Sequence, residues 1–491
     1  MNYRIVARLL AVIVLTLGLA FLLCAGVGLL AVPSEAESEA VVRFAFCAAS
    51  AFALSGILFV SSRGAVPRLF RKEALCVIGA GWILASAVGA VPYALIDTEM
   101  SLVDGFFESA SGLTTTGASV YADVEAMPRS LLFWRAASQW LGGMGVVVFF
   151  VAILSFLGAG AKILYSHEAS GSTADFEQGR VQSAVLQLWW IYLGLSVACT
   201  LVYLGGGMSL YDSLCHMFAT VSTGGFSTRN ASLAAYESPF LEWACVLFMI
   251  LGGTSFVLLA QVTRGRMVVV RRSTELRAFL GILALASVAI AVSLARNDEH
   301  ASLHETVRAS VFQVVSVMTT TGFATTDFDV WPTFPKLALL VLMIVGGCSG
   351  STAGGVKVAR IVIAVRTLMR SVEMEFRPRV VRRIRMNGRP IEQDNLSEVV
   401  MFLVLVGVLC MCAIPLAALF EPNLSLEGTV GAVFASLFNI GPGFGEIGPT
   451  GNYGELHDYT KVFLALLMIM GRLELYAVLV LFWPTFWRRF R

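Results

Sequence analysis

Charge is scarce in this chain. Of its 491 residues only 14% are Asp, Glu, Lys or Arg, against about 25% in an average soluble domain. A water-soluble chain of this length would be left with large exposed apolar patches, which excludes ordinary soluble enzymes. A surplus of one sign is missing too: 35 basic residues against 33 acidic ones leave a net charge of +2, so no basic excess points to nucleic acid. Histidine falls to five and cysteine to nine. The cysteines are scattered, most of them inside apolar runs (Cys24, Cys47, Cys76, Cys199, Cys245, Cys410), with no CxxC pair, and no HExxH occurs. They read as small buried hydrophobes, and a structural or catalytic metal has no support. A GxGxxG followed by a ribose-binding acid after a strand is also missing, so no organic cofactor is expected and any nucleotide sensing has to come from a separate subunit.

What is abundant is apolar surface, 57% of all residues, and its arrangement is that of an all-α integral membrane protein. The first run, Leu9 to Val32, is 24 residues long, beyond the ~7–15-residue core of a cleaved signal peptide. Further runs occupy about 44–60, 74–96, 136–161, 184–204, 240–262, 279–295, 337–356, 399–420 and 459–486, each near the ~20 residues a bilayer core requires. That makes ten candidate spans.

Basic residues sort the loops. Arg4 and Arg8 precede the first span, while the connection at 33–40 carries three Glu and no Lys or Arg. The N-terminus is therefore expected inside. Arg63, Arg68, Arg71 and Lys72 follow the second span; Arg264, Arg266, Arg271, Arg272 and Arg277 lie between 264 and 277; Arg488, Arg489 and Arg491 close the chain. The densest stretch is 357–389, with Lys357, Arg360, Arg366, Arg370, Arg377, Arg379, Arg382, Arg383, Arg385 and Arg389 against Glu373 and Glu375. These segments read as cytoplasmic, meeting anionic lipid headgroups or a docking partner.

Between successive spans sit outward-facing segments too short to cross, each ending in small polar residues and glycine: GLTTTGAS at 112–119, TVSTGGFST at 220–228, VMTTTGFATTDF at 317–328 and FNIGPGFGEIGP at 438–449. Their central glycines, Gly117, Gly224, Gly322 and Gly441, are 107, 98 and 119 residues apart, and each precedes another glycine in the next apolar run (Gly142, Gly252, Gly346, Gly471) by 24 to 30 residues. The unit is span, short helix, glycine loop, span, four times over. It divides the chain into 73–180, 181–276, 277–396 and 397–491 after a two-helix extension at 1–72. A short helix with an irregular loop cannot face lipid, because its unpaired amides and carbonyls would each cost several kcal/mol. It has to line a water-filled path. Four such loops meeting on one axis aim carbonyl oxygens inward, the arrangement that replaces a cation's hydration shell.

These loops, with WLGGMG at 140–145, GGCSGSTAGGVK at 346–357 and MGRLELY at 470–476, resemble the bacterial Trk/Ktr potassium transporter family over roughly residues 73 to 491. The extra N-terminal helix pair makes the chain more similar to the TrkH branch than to the KtrB branch. The resemblance implies potassium uptake across the bacterial inner membrane through one pore per subunit, with both termini cytoplasmic. It also implies a homodimer controlled by a cytosolic nucleotide-binding subunit such as TrkA. Carried over residue by residue, the potassium-binding carbonyls would belong to Thr115, Thr116 and Gly117; Ser222, Thr223 and Gly224; Thr320, Thr321 and Gly322; and Asn439, Ile440 and Gly441. The channel pattern TVGYG has a second glycine and an aromatic residue that these loops lack, so looser rejection of sodium is expected. Sodium-coupled uptake as in Ktr proteins, proton coupling and passive flow all stay open.

The run Gly346, Gly347, Cys348, Ser349, Gly350, Ser351, Thr352, Ala353, Gly354, Gly355 places five glycines inside an apolar stretch, each costing a helix about 1 kcal/mol relative to Ala, so the helix should break there. A phosphate loop fails because Val356 separates Gly355 from Lys357. Close helix packing by small residues is an alternative; the resemblance implies a movable gate under the filter. Arg472 lies about 13 residues into the last run, roughly 20 Å deep at 1.5 Å per residue. An intramembrane charge is costly unless it meets water or a partner, and Glu474, two residues on, is on another helix face. The resemblance places Arg472 beside the pore as part of the gate. A membrane-embedded enzyme using Asp104, Glu108, His216 and His304 is the competing class; these residues do not recur at matching repeat positions or form a nucleophile, base and orienter set.

Overall fold

The computed structural model describes residues 2–31, 34–64, 70–156, 178–297, 302–378 and 383–487. Arg68, Arg379, Arg382, Arg488, Arg489 and Arg491 of the basic segments lie outside them, as do residues 157–177 of the first repeat.

Helices α1 (Tyr3–Leu30) and α2 (Glu35–Ser61) form an antiparallel pair that packs on the first repeat through Phe21, whose ring meets Trp134 edge-on at 4.9 Å. The Glu37 carboxylate accepts from the amides of Arg129 and Ser130, at 2.7 and 3.0 Å, and so caps the first turn of the next long helix but one. The first repeat runs α3 (Arg71–Ile96), α4 (Leu102–Leu113) and α5 (Arg129–Phe156). The second runs α6 (Gln178–Gly205), α7 (Leu210–Val221), then α8 (Pro239–Gly253) and α9 (Phe256–Thr263). After α10 (Met267–Arg272) come α11 (Thr274–Arg296), α12 (Leu303–Met318), α13 (Thr333–Val345) and α14 (Val358–Phe376). A two-rung hairpin, β1 (Arg385–Met386) with β2 (Arg389–Pro390), precedes the fourth repeat. That repeat is α15 (Gln393–Phe420), α16 (Leu426–Leu437), α17 (Asp458–Arg472) and α18 (Tyr476–Leu479), followed by α19 (Pro484–Trp487).

Ten apolar runs do not become ten straight spans. Among the described residues six helices are long and apolar enough to cross a membrane: α1, α2, α3, α6, α11 and α15. The run at 136–161 falls in α5, which is described to Phe156. The expected spans at 240–262 and 459–486 are broken pairs, α8/α9 bent by 101° and α17/α18 by 117°. Gly252-Gly253-Thr254-Ser255 interrupts the first. The second turns on Glu474 and Leu475, both left-handed at φ +55° and +64°, a conformation that ends an α-helix. The run at 337–356 is helical only to Val345, after which Gly346 takes φ +67°, so the glycine run is non-helical, as its composition requires.

The four short helices α4, α7, α12 and α16 have 12, 12, 16 and 12 residues, too few at 1.5 Å per residue for a ~30 Å bilayer core. All four start alike. Ser101, Ser209, Ser302 and Ser425 accept from the first-turn amides of Asp104, Asp212, Glu305 and Gly428, the N-cap bond that satisfies an orphan donor. Each is followed by leucine, so a Ser-Leu pair marks the start of all four short helices.

Candidate functional site

The four short helices also end alike, and the ending sets the loop register. Thr116, Gly224, Thr321 and Ile440 donate their amides to Ser111, Ala219, Ser316 and Ala435 at 2.7–2.9 Å. The residues before them, Thr115, Thr223, Thr320 and Asn439, sit at φ +53° to +57° and donate to Gly112, Thr220, Val317 and Ser436. This is a Schellman ending with Thr or Asn where glycine is usual. A β-branched residue at positive φ carries strain of about 1–3 kcal/mol, a cost that clusters at functional sites.

Two residues beyond each strained position lies a glycine at φ +82° to +99°: Gly117, Gly225, Gly322 and Gly441. The second repeat therefore corrects the sequence alignment by one residue. Its counterparts of Thr115, Thr116 and Gly117 are Thr223, Gly224 and Gly225, while Ser222 is the helix C-cap, equivalent to Thr114. The STGG string offers two adjacent glycines, and only backbone conformation tells them apart.

The loops close a ring. A side-chain carbon added to Gly117 would collide with the Gly224 carbonyl oxygen, at Gly225 with that of Thr321, at Gly322 with that of Ile440, and at Gly441 with that of Thr116. Each repeat thus presses its glycine on the next, and the fourth returns to the first. Thr115, Thr116, Ser222, Thr223, Thr320, Thr321, Asn439 and Ile440 are all fully buried. The helices that carry them point their C-termini, the negative ends of their dipoles, at this ring, which favours a cation there.

Side chains behind the ring hold it. Gln139 donates to Gly224 O at 2.6 Å and accepts from Phe226 N at 3.1 Å. Asn439 Nδ2 donates to Thr116 Oγ1 at 3.0 Å and Met468 O at 2.8 Å, and Tyr453 donates its hydroxyl to Gly441 O at 2.9 Å. Glu108 and Arg135, both buried, pair at 2.6 Å. Glu108 also accepts from Ser119 Oγ and Val120 N, and Arg135 lies over Phe226 at 4.1 Å. His216 bridges the Asp212 carbonyl and Ser227 Oγ, at 2.9 and 3.0 Å. Glu108 and His216 thus brace the loops, His304 is exposed, and the four residues weighed for an enzyme do not meet. Among the described residues no cluster of His, Cys, Asp or Glu suits a metal.

A second ring clasps the repeats further out. The helix after each loop grips the next repeat's short helix. Tyr211 donates to Arg129 O at 2.7 Å, Arg308 pairs with Glu242 at 3.0 Å, Lys336 with Glu427 at 3.0 Å, and Lys461 with Asp104 at 2.6 Å. In the loop outside α5, Asp123 accepts from Asn230 Nδ2 at 2.7 Å, and this bond, with the Glu125 amide, holds its carboxyl below the usual carboxylate range.

Directly against the ring sits the glycine-rich segment between α13 and α14. Gly354 N donates to Thr320 Oγ1 at 2.6 Å, and Thr352 Oγ1 is 3.3 Å from Thr223 Oγ1. A side-chain carbon on Gly354 would abut Asn439. The segment thus touches three of the four strained positions. It is anchored by the carbonyls freed at the α8/α9 break: Cys348 N donates to Gly253 O at 2.9 Å and Thr352 N to Gly252 O at 3.3 Å. Buried Glu275 accepts from Ser349 N at 2.6 Å and Ala359 N at 3.1 Å. Arg472, 4% exposed, donates Nη1 to Thr352 O at 2.5 Å. Among the described residues no carboxylate pairs with Arg472; Glu474 goes instead to Arg360 at 2.6 Å.

A multi-pass membrane chain whose four re-entrant loops close a polar ring is a membrane transport protein. Residues 40–489 match the TrkH family, described as a cation transport protein, and the chain belongs to that family. It is 36% identical to the Trk system potassium uptake protein TrkH of Halomonas elongata over 446 residues, 88% of this chain and 89% of that one. To the protein of the same name from Escherichia coli K12 it is 34% identical over 441 residues, 89% and 90%. The crystal structure of the potassium transporter TrkH from Vibrio parahaemolyticus superposes with a TM-score of 0.89 at 30% identity, covering 99% of this chain and 100% of that one.

Proposed function

We propose that this chain is the membrane subunit of a bacterial potassium uptake system, with the four-loop ring as its selectivity filter. The observation that carries the reading is the ring closure from Gly117 through Gly225, Gly322 and Gly441 back to Thr116. Carbonyl oxygens of residues 115–117, 223–225, 320–322 and 439–441 replace the hydration shell of a monovalent ion, and the four helix C-termini favour its charge. The pore is formed by the repeats at 73–180, 181–276, 277–396 and 397–491, with 1–72 as a flanking pair. The relatives named as potassium uptake proteins support potassium as the transported ion.

In this reading residues 346–355 and Arg472 form the gate. The segment lies against the filter, and the Arg472 charge opposes a cation approaching through a medium of low dielectric constant. Opening requires the loop to leave Thr320 and Arg472 to leave Thr352. The basic faces at 264–277 and 357–389 lie in the cytoplasm, as do both termini. There they meet anionic lipid and a TrkA-like nucleotide-binding subunit, and two copies of the chain form a homodimer in the inner membrane.

The test is uptake by purified protein in liposomes with the membrane potential clamped, comparing potassium, rubidium and sodium. Potassium and rubidium flux exceeding sodium flux supports the reading; equal flux of all three, or none in a variant freed of the loop, overturns it. Varying the sodium and proton gradients in the same vesicles distinguishes coupled from passive flow.

A further inference from the structure

On the flank of the second repeat, away from the pore, lies an apolar groove of about 690 Å³ between α6 and α9. Trp190, Ile191, Leu195, Leu259 and Val262 line it. Gly194 leaves it open: a side-chain carbon there would meet nothing within 4 Å. Trp190 is 70% exposed. Residues 186–195 lie across the middle of α6, and the loop after α9 borders their Gln187 end. At that end the chain leaves α9 into Arg264-Gly265-Arg266. The Arg264 guanidinium reaches back to the side chain of Gln187, which itself lines the groove. Short helix α10 then adds Arg271 and Arg272, beside exposed Met267 and Val268.

The groove therefore joins an apolar trough in a membrane-crossing helix to guanidinium groups at its mouth. An apolar recess facing hydrocarbon is filled by hydrocarbon, since a void forfeits dispersion contacts along its whole lining and water finds no polar partners in it. A basic cluster at the cytoplasmic edge of such a recess selects the sign of the headgroup. We propose that this groove is a specific site for one anionic phospholipid, an acyl chain lying along Trp190, Ile191 and Leu259 and the headgroup phosphate held by Arg264, with Arg266 beside it. The site is independent of the conduction pathway, and its test does not depend on transport.

The experiment reads tryptophan quenching by phospholipids with brominated acyl chains in vesicles of defined composition. Full-length protein is compared with its Trp190→Phe variant, and the difference isolates Trp190. Half-quenching of that component by brominated phosphatidylglycerol is expected at about fivefold lower mole fraction than by brominated phosphatidylcholine, the preference one basic residue near an anionic surface confers. Arg264→Gln should abolish the preference while leaving quenching by phosphatidylcholine unchanged, which also shows that the groove is intact. Equal quenching by the two lipids in the wild type means unselective annular lipid and overturns the proposal. So does a preference that survives in Arg264→Gln, or protection from both lipids because a second copy of the chain covers the groove.

Discussion

Arg472 donates to the main-chain oxygen of Thr352 at 2.5 Å, so the intramembrane cation and the glycine-rich segment against the four-loop ring are held as one unit. This bond spans 120 residues of sequence and ties the α17/α18 break to the loop that the α8/α9 break anchors. Both helix interruptions thus serve the same object. Arg472→Ala removes the tie and the charge together. Basal potassium flux in liposomes should rise about tenfold or more, the equivalent of ~1.4 kcal/mol, and deleting part of 348–354 should do the same. Unchanged flux in both variants at equal protein level would place the gate elsewhere.

Glu275 is the second anchor. Its carboxylate accepts from Ser349 N, inside the segment, and from Ala359 N, in the first turn of α14. Glu275→Ala orphans two buried amides, at about 1–3 kcal/mol each. The expected result is a lower Tm with raised basal flux. Both bonds end on Oε1, so Glu275→Gln keeps the acceptor that serves both amides and should lie closer to wild type than to the alanine variant on both measurements.

The positions of positive φ in the ring carry two further predictions. Gly225 and Gly322 are at φ +82° and face carbonyl oxygens of the next repeat. Gly225→Ala and Gly322→Ser should therefore lower the potassium-to-sodium flux ratio severalfold. Thr115 is also left-handed, but its hydroxyl has no hydrogen-bond partner among the described residues. Thr115→Gly relieves strain of about 1 kcal/mol or more and should hold or raise Tm while loosening selectivity, as read by rubidium and sodium competition.

The clasp between the fourth and first repeats rests on Lys461 and Asp104 at 2.6 Å. Lys461 is 4% exposed, so removing its partner strands a buried charge. Asp104→Asn should cost up to about 3 kcal/mol and weaken potassium affinity by letting the ring loosen. The double variant Asp104→Asn, Lys461→Met should recover part of the stability, since no charge is then left unpaired. A double-mutant cycle on Tm and on uptake KM measures the coupling.

The repeats, the loops and the break at Gly346 were legible in the sequence because each depends on composition: apolar length, small polar runs, glycine density. The loop register in the second repeat was not, because Gly224 and Gly225 have identical chemistry and differ in backbone conformation. The breaks after Gly253 and Arg472 were hidden inside apolar runs, where hydropathy is continuous although the backbone is not. Partnerships over long sequence distance, such as Glu275 with Ser349 or Lys461 with Asp104, leave no local trace. The serine caps at Ser101, Ser209, Ser302 and Ser425 did leave one, in the Ser-Leu pair that opens every short helix.

In the proposed function a partly dehydrated monovalent cation sits where the four loops meet. Anomalous diffraction from crystals grown in rubidium tests it directly. A peak is expected on the axis encircled by Thr116, Gly224, Thr321 and Ile440, weakened by adding potassium but not by adding sodium at the same concentration. A rubidium-grown crystal with an ordered ring and no axial peak, or with rubidium bound only outside it, would contradict it.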